Sequence, residues 1–213
     1  MQDNKNTNSI FKTKAAEQIK NGILICKTYA LALIFVTKEY KFRRMQNADL
    51  NKAGLTTIGN TETGHFYWVG KGNNNIEHFA GQTFTTNRNG ALKSIRIFPE
   101  MIVGETDALL SVHNFDAASH TWKEQKAESR KMLNKQMEKQ WVQFDMHVEL
   151  DANQQYAFKI SCNHGGMMAI AECKWDAQQP NLMGEQWVAS STEPEGHFHK
   201  HFGFAFVAEI QNH

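Results

Sequence analysis

Three histidines, His197, His199 and His201, alternate with Phe198, Lys200 and Phe202 near the end of the chain. Residues two apart on an extended strand share a face and stand roughly 6–7 Å apart. The trio could therefore turn imidazoles toward one divalent metal, with a ligand from another strand completing a site for Zn²⁺ or a similar borderline ion. His164, Glu172, Glu193 and Glu195 are the available further ligands. Such a site would empty as the imidazoles protonate below about pH 6.5. Against it stand Lys200, a cation inside the run, and the ordinary habit of an outer sheet face to carry polar residues without binding anything.

A second chemistry is offered by tryptophan. Trp175 and Trp187 lie near Asp176, Gln178, Gln179, Asn181 and Gln186. Flat rings stack on sugar faces while amides and carboxylates bond hydroxyls, so Trp175, Trp187, Asp176, Gln178 and Asn181 form the expected ligand face. The competing role for large aromatics is to close the open end of a core. Trp141 has the opposite parity to the apolar residues that follow it, which places it on an outer face.

Nucleophilic chemistry finds little support. Ser161 and Cys162 stand too close in sequence to His164 to meet it from one tight turn, and no Gly-x-Ser-x-Gly elbow exists. Asp145 and Glu149 share a strand face and read as a solvated edge. Gly70-Lys71-Gly72 lacks the spacing and following helix of a phosphate loop. The expectation is a protein without a catalytic residue or a resident cofactor, a divalent metal at the histidines being the alternative.

The elements that must position these residues follow from periodicity. Residues 1–44 are expected to be a largely helical extension, since Ala15, Ala16, Ile19, Ile23, Cys26, Ala30, Leu33 and Ile34 recur at three- and four-residue steps. The apolar run Ile23 to Val36 contains Lys27 and falls short of the roughly 20 residues a spanning helix needs. It also lacks a small-residue cleavage pattern, which argues against a membrane and favours the cytoplasm. Residues 45–63 are expected to be a linker, and Met45 is an alternative natural start.

From Gly64 the grammar becomes short aromatic and β-branched runs punctuated by Gly, Asn and Asp. Val142, Phe144, Met146, Val148 and Leu150 alternate with Gln143, Asp145, His147 and Glu149; Tyr156, Phe158, Ile160 and Cys162 alternate with Lys159 and Ser161. These two runs are expected to be antiparallel neighbours. The segment from Lys123 to Lys139 predicts a polar excursion with a short strand near Arg130 to Leu133. The closing run His197 to Ile210 predicts one long strand with Phe198, Phe202, Phe204, Phe206, Ala208 and Ile210 on its core side. Residues 64–213 are therefore expected to form an all-β, antiparallel β-sandwich of jelly-roll topology.

The charge balance bounds the partners. With 23 Lys and Arg against 22 Asp and Glu, the net charge of +1 supplies no field that would draw nucleic acid or an anionic membrane. Three cysteines, Cys26, Cys162 and Cys173, favour a reducing compartment over a disulfide framework, although a Cys162 to Cys173 bridge across neighbouring strands stays open.

Particular stretches carry a resemblance. Phe79-Ala80-Gly81-Gln82-Thr83-Phe84-Thr85, Asn89-Gly90-Ala91-Leu92-Lys93-Ser94-Ile95, Leu150 through Phe158 with its Leu-to-Tyr156 corner, and Phe202-Gly203-Phe204-Ala205-Phe206 resemble bacterial jelly-roll accessory domains related in shape to carbohydrate-binding modules. The resemblance spans about residues 64 to 210 and rests on structural motifs. It implies a binding or adhesive role and a secreted habit, without naming the ligand. The function expected is a non-enzymatic binding module for carbohydrate or a protein partner. The alternatives are a metal-binding, cupin-like protein using His197, His199 and His201, or an assembly protein joined through its N-terminal helix.

Overall fold

Along Val142–Leu150 the residues Val142, Phe144, Met146 and Leu150 are buried while Gln143, Asp145, His147 and Glu149 are exposed, so the two-residue period of the sequence becomes a strand with one wet face. The same logic builds the whole domain in a computed structural model, which describes residues 54–73, 75–163, 165–174 and 182–213. The expected N-terminal helix, Cys26, His164 and the loop bearing Trp175, Asp176, Gln178 and Asn181 lie outside the described residues.

The strands are β1 (Leu55–Asn60), β2 (His65–Lys71), β3 (Glu77–Thr85), β4 (Gly90–Ile97), β5 (Pro99–Val103), β6 (Thr106–Asp116) and β7 (Thr121–Leu133). They continue as β8 (Val142–Leu150), β9 (Gln155–Asn163), β10 (Met167–Lys174), β11 (Gln186–Ser190), β12 (Glu193–His199), β13 (Phe202–Phe204) and β14 (Phe206–Asn212). A four-stranded sheet runs β1-β14-β4-β8. A ten-stranded sheet runs β13-β10-β2-β3-β9-β6-β7, with β11 joined to β3, β12 joined to β11, and β5 joined to β10. Every pairing among the described strands is antiparallel, and the two sheets form a β-sandwich.

Between the sheets lies the main apolar core. Leu92, Ile95, Ile97, Phe144, Phe206, Ala208 and Ile210 enter it from the smaller sheet, and Phe84, Leu110, Val112, Phe158, Ile160 and Ile170 from the larger. The Phe206 ring bridges the two, with its centroid 6.1 Å from Phe84 and 5.3 Å from Phe158. The Leu150-to-Tyr156 corner is closed by the Tyr156 hydroxyl, which accepts a 2.8 Å hydrogen bond from the Asp151 N–H. That bond fastens the turn where the chain passes from one sheet to the other.

Several sequence expectations give way here. The chain crosses between sheets at Asp151 to Gln154, so β8 pairs with β4 and β9 pairs with β3 and β6; they are not neighbours. The stretch expected as a linker contains β1, which pairs along β14. Lys123 to Leu133 belongs to β7, a 13-residue edge strand paired, among the described strands, with β6 alone. An edge strand with one wet face needs few apolar residues, and its Lys, Glu and Arg side chains discourage pairing with other chains.

The closing run is three strands. β12 pairs with β11, β13 with β10, and β14 with β1 and β4. Cys162 and Cys173 are buried and unbridged. Burial pushes the Cys162 thiol up to about 12 and the Cys173 thiol up to about 11, so neither is a nucleophile near neutrality. Trp141 sits just ahead of β8 with its ring edge-on to Phe98 at 5.4 Å, against the small cluster of Ala171, Cys173 and Ala205.

Candidate functional site

The change of strand after His199 separates the histidines. His197 and His199 lie on β12, and His201 falls in the bend that leads to β13. His197 Nε2 is 2.9 Å from Glu193 Oε1, an exposed i,i+4 pair, and the His199 ring meets Phe202 edge-on at 6.4 Å. Among the described residues no group of three His, Cys, Asp or Glu side chains is placed to hold a metal ion.

Trp187 is 2% exposed. Its Nε1–H donates to the Glu195 carbonyl at 3.0 Å, and its ring stands 5.0 Å from Trp122. As placed, the indole has no open face for a sugar. It belongs instead to an aromatic layer on the outer side of the larger sheet, made with Trp122, Phe115 and Phe198. Phe115 lies 5.8 Å from Trp122 and 5.3 Å from Phe198, and His120 lies 5.1 Å from Phe198. Gly81 makes room beneath: a Cβ there would stand 2.9 Å from Trp122 and 3.1 Å from Trp187.

Polar groups edge this layer. The Lys159 ammonium sits 4.8 Å from the Phe79 centroid and 5.3 Å from that of Trp187, a double cation–π contact. Burial lowers the Lys159 pKa, and it also lowers that of His113. Ser111 Oγ and His113 Nε2 are 2.9 Å apart, the separation of a nucleophile and its base. Ser111 is only 7% exposed, however, so the hydroxyl is not presented to a substrate.

A groove of about 550 Å³ opens at the end of the sandwich, where the β6–β7 and β8–β9 turns approach each other. Its size falls in the roughly 300–1,000 Å³ range of small-molecule sites. Pairing of Asn114 with Tyr156 in the β6–β9 ladder brings these distant stretches together. From the end of β6 come Asn114, Phe115 and Asp116, with Lys123 and Lys126 from β7. From the second turn and the start of β9 come Asp151, Asn153, Gln154 and Gln155.

Asp116 is already occupied. Its Oδ1 accepts from the Ala118 and Ser119 N–H groups at 3.0 and 3.3 Å, and its Oδ2 faces Lys123 Nζ at 3.6 Å. Hydrogen bonds from Ser119, and from the Ala118 backbone, hold its pKa below the usual carboxylate value. Asn153 takes a left-handed backbone, φ +62°, and its N–H donates to the Thr86 carbonyl at 2.7 Å, which fixes the second turn against β3's end. Gln155 Oε1 is buried without a hydrogen-bond partner among the described residues. An unsatisfied buried acceptor costs about 1–3 kcal/mol, so a donor that reached this carbonyl would be favoured. The sequence expectation used these residues only as turn signals and missed their convergence.

A different polar cluster lies where β10, β11 and β13 meet. Gln82 Oε1 accepts from the Phe204 N–H at 2.8 Å, Asn60 Nδ2–H donates to the Phe204 carbonyl at 3.3 Å, and Gln186 Nε2–H donates to Glu172 Oε1. Burial raises the Glu172 pKa, while the Gln186 bond and the charges of His65 and His199 pull it back. The folded chain therefore holds this proton more tightly than the unfolded chain. Its contribution to stability is full below the ordinary glutamate value of about 4.3 and is lost as pH rises through the raised folded value. Glu172→Gln should accordingly gain stability relative to the parent at neutral pH, with the gap closing on acidification. Denaturant melts of both proteins between about pH 7 and pH 4.3 check this; a gap that does not change with pH would contradict it.

No family model matches the chain, and no curated protein matches its sequence. Among solved structures, it is similar to a clostridial cysteine protease, a variant of Cwp84 after propeptide cleavage, at 8% identity and a TM-score of 0.44, covering 75% of this chain and 41% of that one. It is similar to the cysteine protease and lectin-like domains of Cwp84, a surface layer associated protein of Clostridium difficile, at 7% identity and a TM-score of 0.43, covering 65% and 33%. It also matches the CBM22-1-GH10 modules of Clostridium thermocellum xylanase 10B complexed with xylohexaose, at 11% identity and a TM-score of 0.26, covering 76% and 26%. The chain thus spans less than half the length of each of these structures.

Proposed function

We propose that the protein is a non-enzymatic carbohydrate-binding module of jelly-roll topology whose ligand lies in the groove between the β6–β7 and β8–β9 turns. The observation that carries this reading is the groove's lining. Asn114, Asn153, Gln154 and Gln155 each offer both a donor and an acceptor, which is what a dense array of hydroxyls requires. A protein partner would call for a broader patch with an apolar centre. Repeated passage of the chain between sheets, as at β3–β4, β7–β8 and β8–β9, supports the jelly-roll topology.

Screening the protein against an array of neutral and acidic glycans tests the reading. Lys126 and Gln154 are exposed, so a Lys126→Ala, Gln154→Ala variant should keep its far-UV spectrum and bind the retained glycan at least about tenfold more weakly, equivalent to about 1.4 kcal/mol. Folded protein that retains no glycan, or a double variant that binds undiminished, would remove the proposal.

A further inference from the structure

We infer that the groove selects neutral, hydroxyl-rich oligosaccharides over uronic or sialic acids, an inference that rests on the carbohydrate-binding reading. Four charged side chains line it: Asp116, Lys123, Lys126 and Asp151. Asp116 and Lys123 answer each other at 3.6 Å, and the Asp116 carboxylate is further saturated by two backbone N–H groups. This pair offers no net charge to a ligand.

Lys126 and Asp151 remain, both exposed, and neither has an ion-pair partner among the described residues. An anionic sugar would gain at Lys126 and lose at Asp151, and a cation would do the reverse. A neutral polyol uses both, with Lys126 donating to one hydroxyl and Asp151 accepting from another. The amides of Asn114, Asn153 and Gln154 extend the same donor and acceptor pattern along the groove. Gln155 supplies the acceptor that lacks a partner, which a rotation of its side chain would present to a ligand hydroxyl.

The charge pattern makes two further demands. Binding should be nearly independent of salt, because no net charge is neutralised on association. Reversing the one free carboxylate should convert the preference, since Asp151→Lys adds a second uncompensated cation to the groove beside Lys126. Asp151 is exposed and its fold role is carried by its backbone N–H, so the substitution leaves the Tyr156 bond in place.

Calorimetric titration of the full chain with cellohexaose, maltohexaose and a hexamer of galacturonic acid is the test. A neutral hexamer should bind the parent protein with a Kd that shifts by less than about twofold between about 0.01 and 0.1 M NaCl, over which the Debye length falls from roughly 30 to 10 Å. The galacturonate hexamer should bind the parent at least about tenfold more weakly and should bind Asp151→Lys more tightly than it binds the parent. Tight binding of galacturonate by the parent, or a steep loss of neutral-sugar affinity with salt, overturns the charge selectivity while leaving the binding-module reading standing. Failure of all three hexamers and of a glycan array to bind overturns both.

Discussion

Phe206→Ala is expected to cost the folded domain about 3–5 kcal/mol, the range for truncating a fully buried phenylalanine. Its ring is 0% exposed and is the point where the two sheets meet, since it leaves β14 of the smaller sheet and packs on Phe84 and Phe158 of the larger. The loss combines the transfer of the ring out of the apolar phase with the cavity left among residues held by two ladders, where collapse is restricted. Phe206→Leu refills part of that volume and should recover roughly half of the loss. Guanidinium unfolding followed by far-UV circular dichroism gives both numbers. A loss under about 1 kcal/mol would mean that the two sheets do not share this core.

Phe206 also shows what was legible in the sequence. Its alternation with Ala208 and Ile210 marks a half-buried strand, as does that of Val142, Phe144 and Met146, and both are strands with that face inward. Parity misleads one step earlier. Phe198 has the same parity as Phe206, yet its ring lies in the outer aromatic layer against Phe115 and Trp122 while Phe206 lies in the core. The chain changes strand at Lys200 and His201 and again at Ala205, and an even step in residue number from Phe198 to Phe206 preserves the sequence pattern through a change of sheet.

β1 was hidden because Thr56, Thr57, Gly59 and Asn60 carry little of the apolar signal of a strand, and its place is set by pairing with β14. β7 was hidden for the opposite reason, being rich in helix-favouring Glu, Lys and Gln while held extended by its ladder to β6. The groove was illegible in principle. Asp116-Ala117-Ala118 and Asp151 to Gln154 are each good turn sequences, and only the pairing of β6 with β9 makes them neighbours. Trp187 was visible as an aromatic near amides, but whether its ring is open depends on Trp122 and Glu195, which no local pattern connects to it.

The β11–β12 hairpin should yield to Gly196→Ala, and by more than backbone strain alone accounts for. Gly196 has φ +64°, so alanine there pays about 1–3 kcal/mol for its backbone alone. Its Cβ would also stand 2.4 Å from the Val188 carbonyl and 2.6 Å from Trp187 Nε1, both on the strand that β12 must lie against. β12 would have to lift from β11, breaking the bond from Trp187 to the Glu195 carbonyl and drawing Phe198 off Phe115. Gly165→Ala separates the two causes, because Gly165 has φ +80° with nothing within 4 Å of an added Cβ. The difference in unfolding free energy between the variants then measures the packing of the hairpin. Gly196→Ala should also shift tryptophan emission to the red and speed amide exchange along β11 and β12 while β8 and β9 stay protected. Equal losses in the two variants, with unchanged emission, would show that the hairpin is not seated on the aromatic layer. Because Phe115 belongs to both that layer and the groove, the same variant should weaken the glycan binding proposed for the groove, although Gly196 itself does not line it.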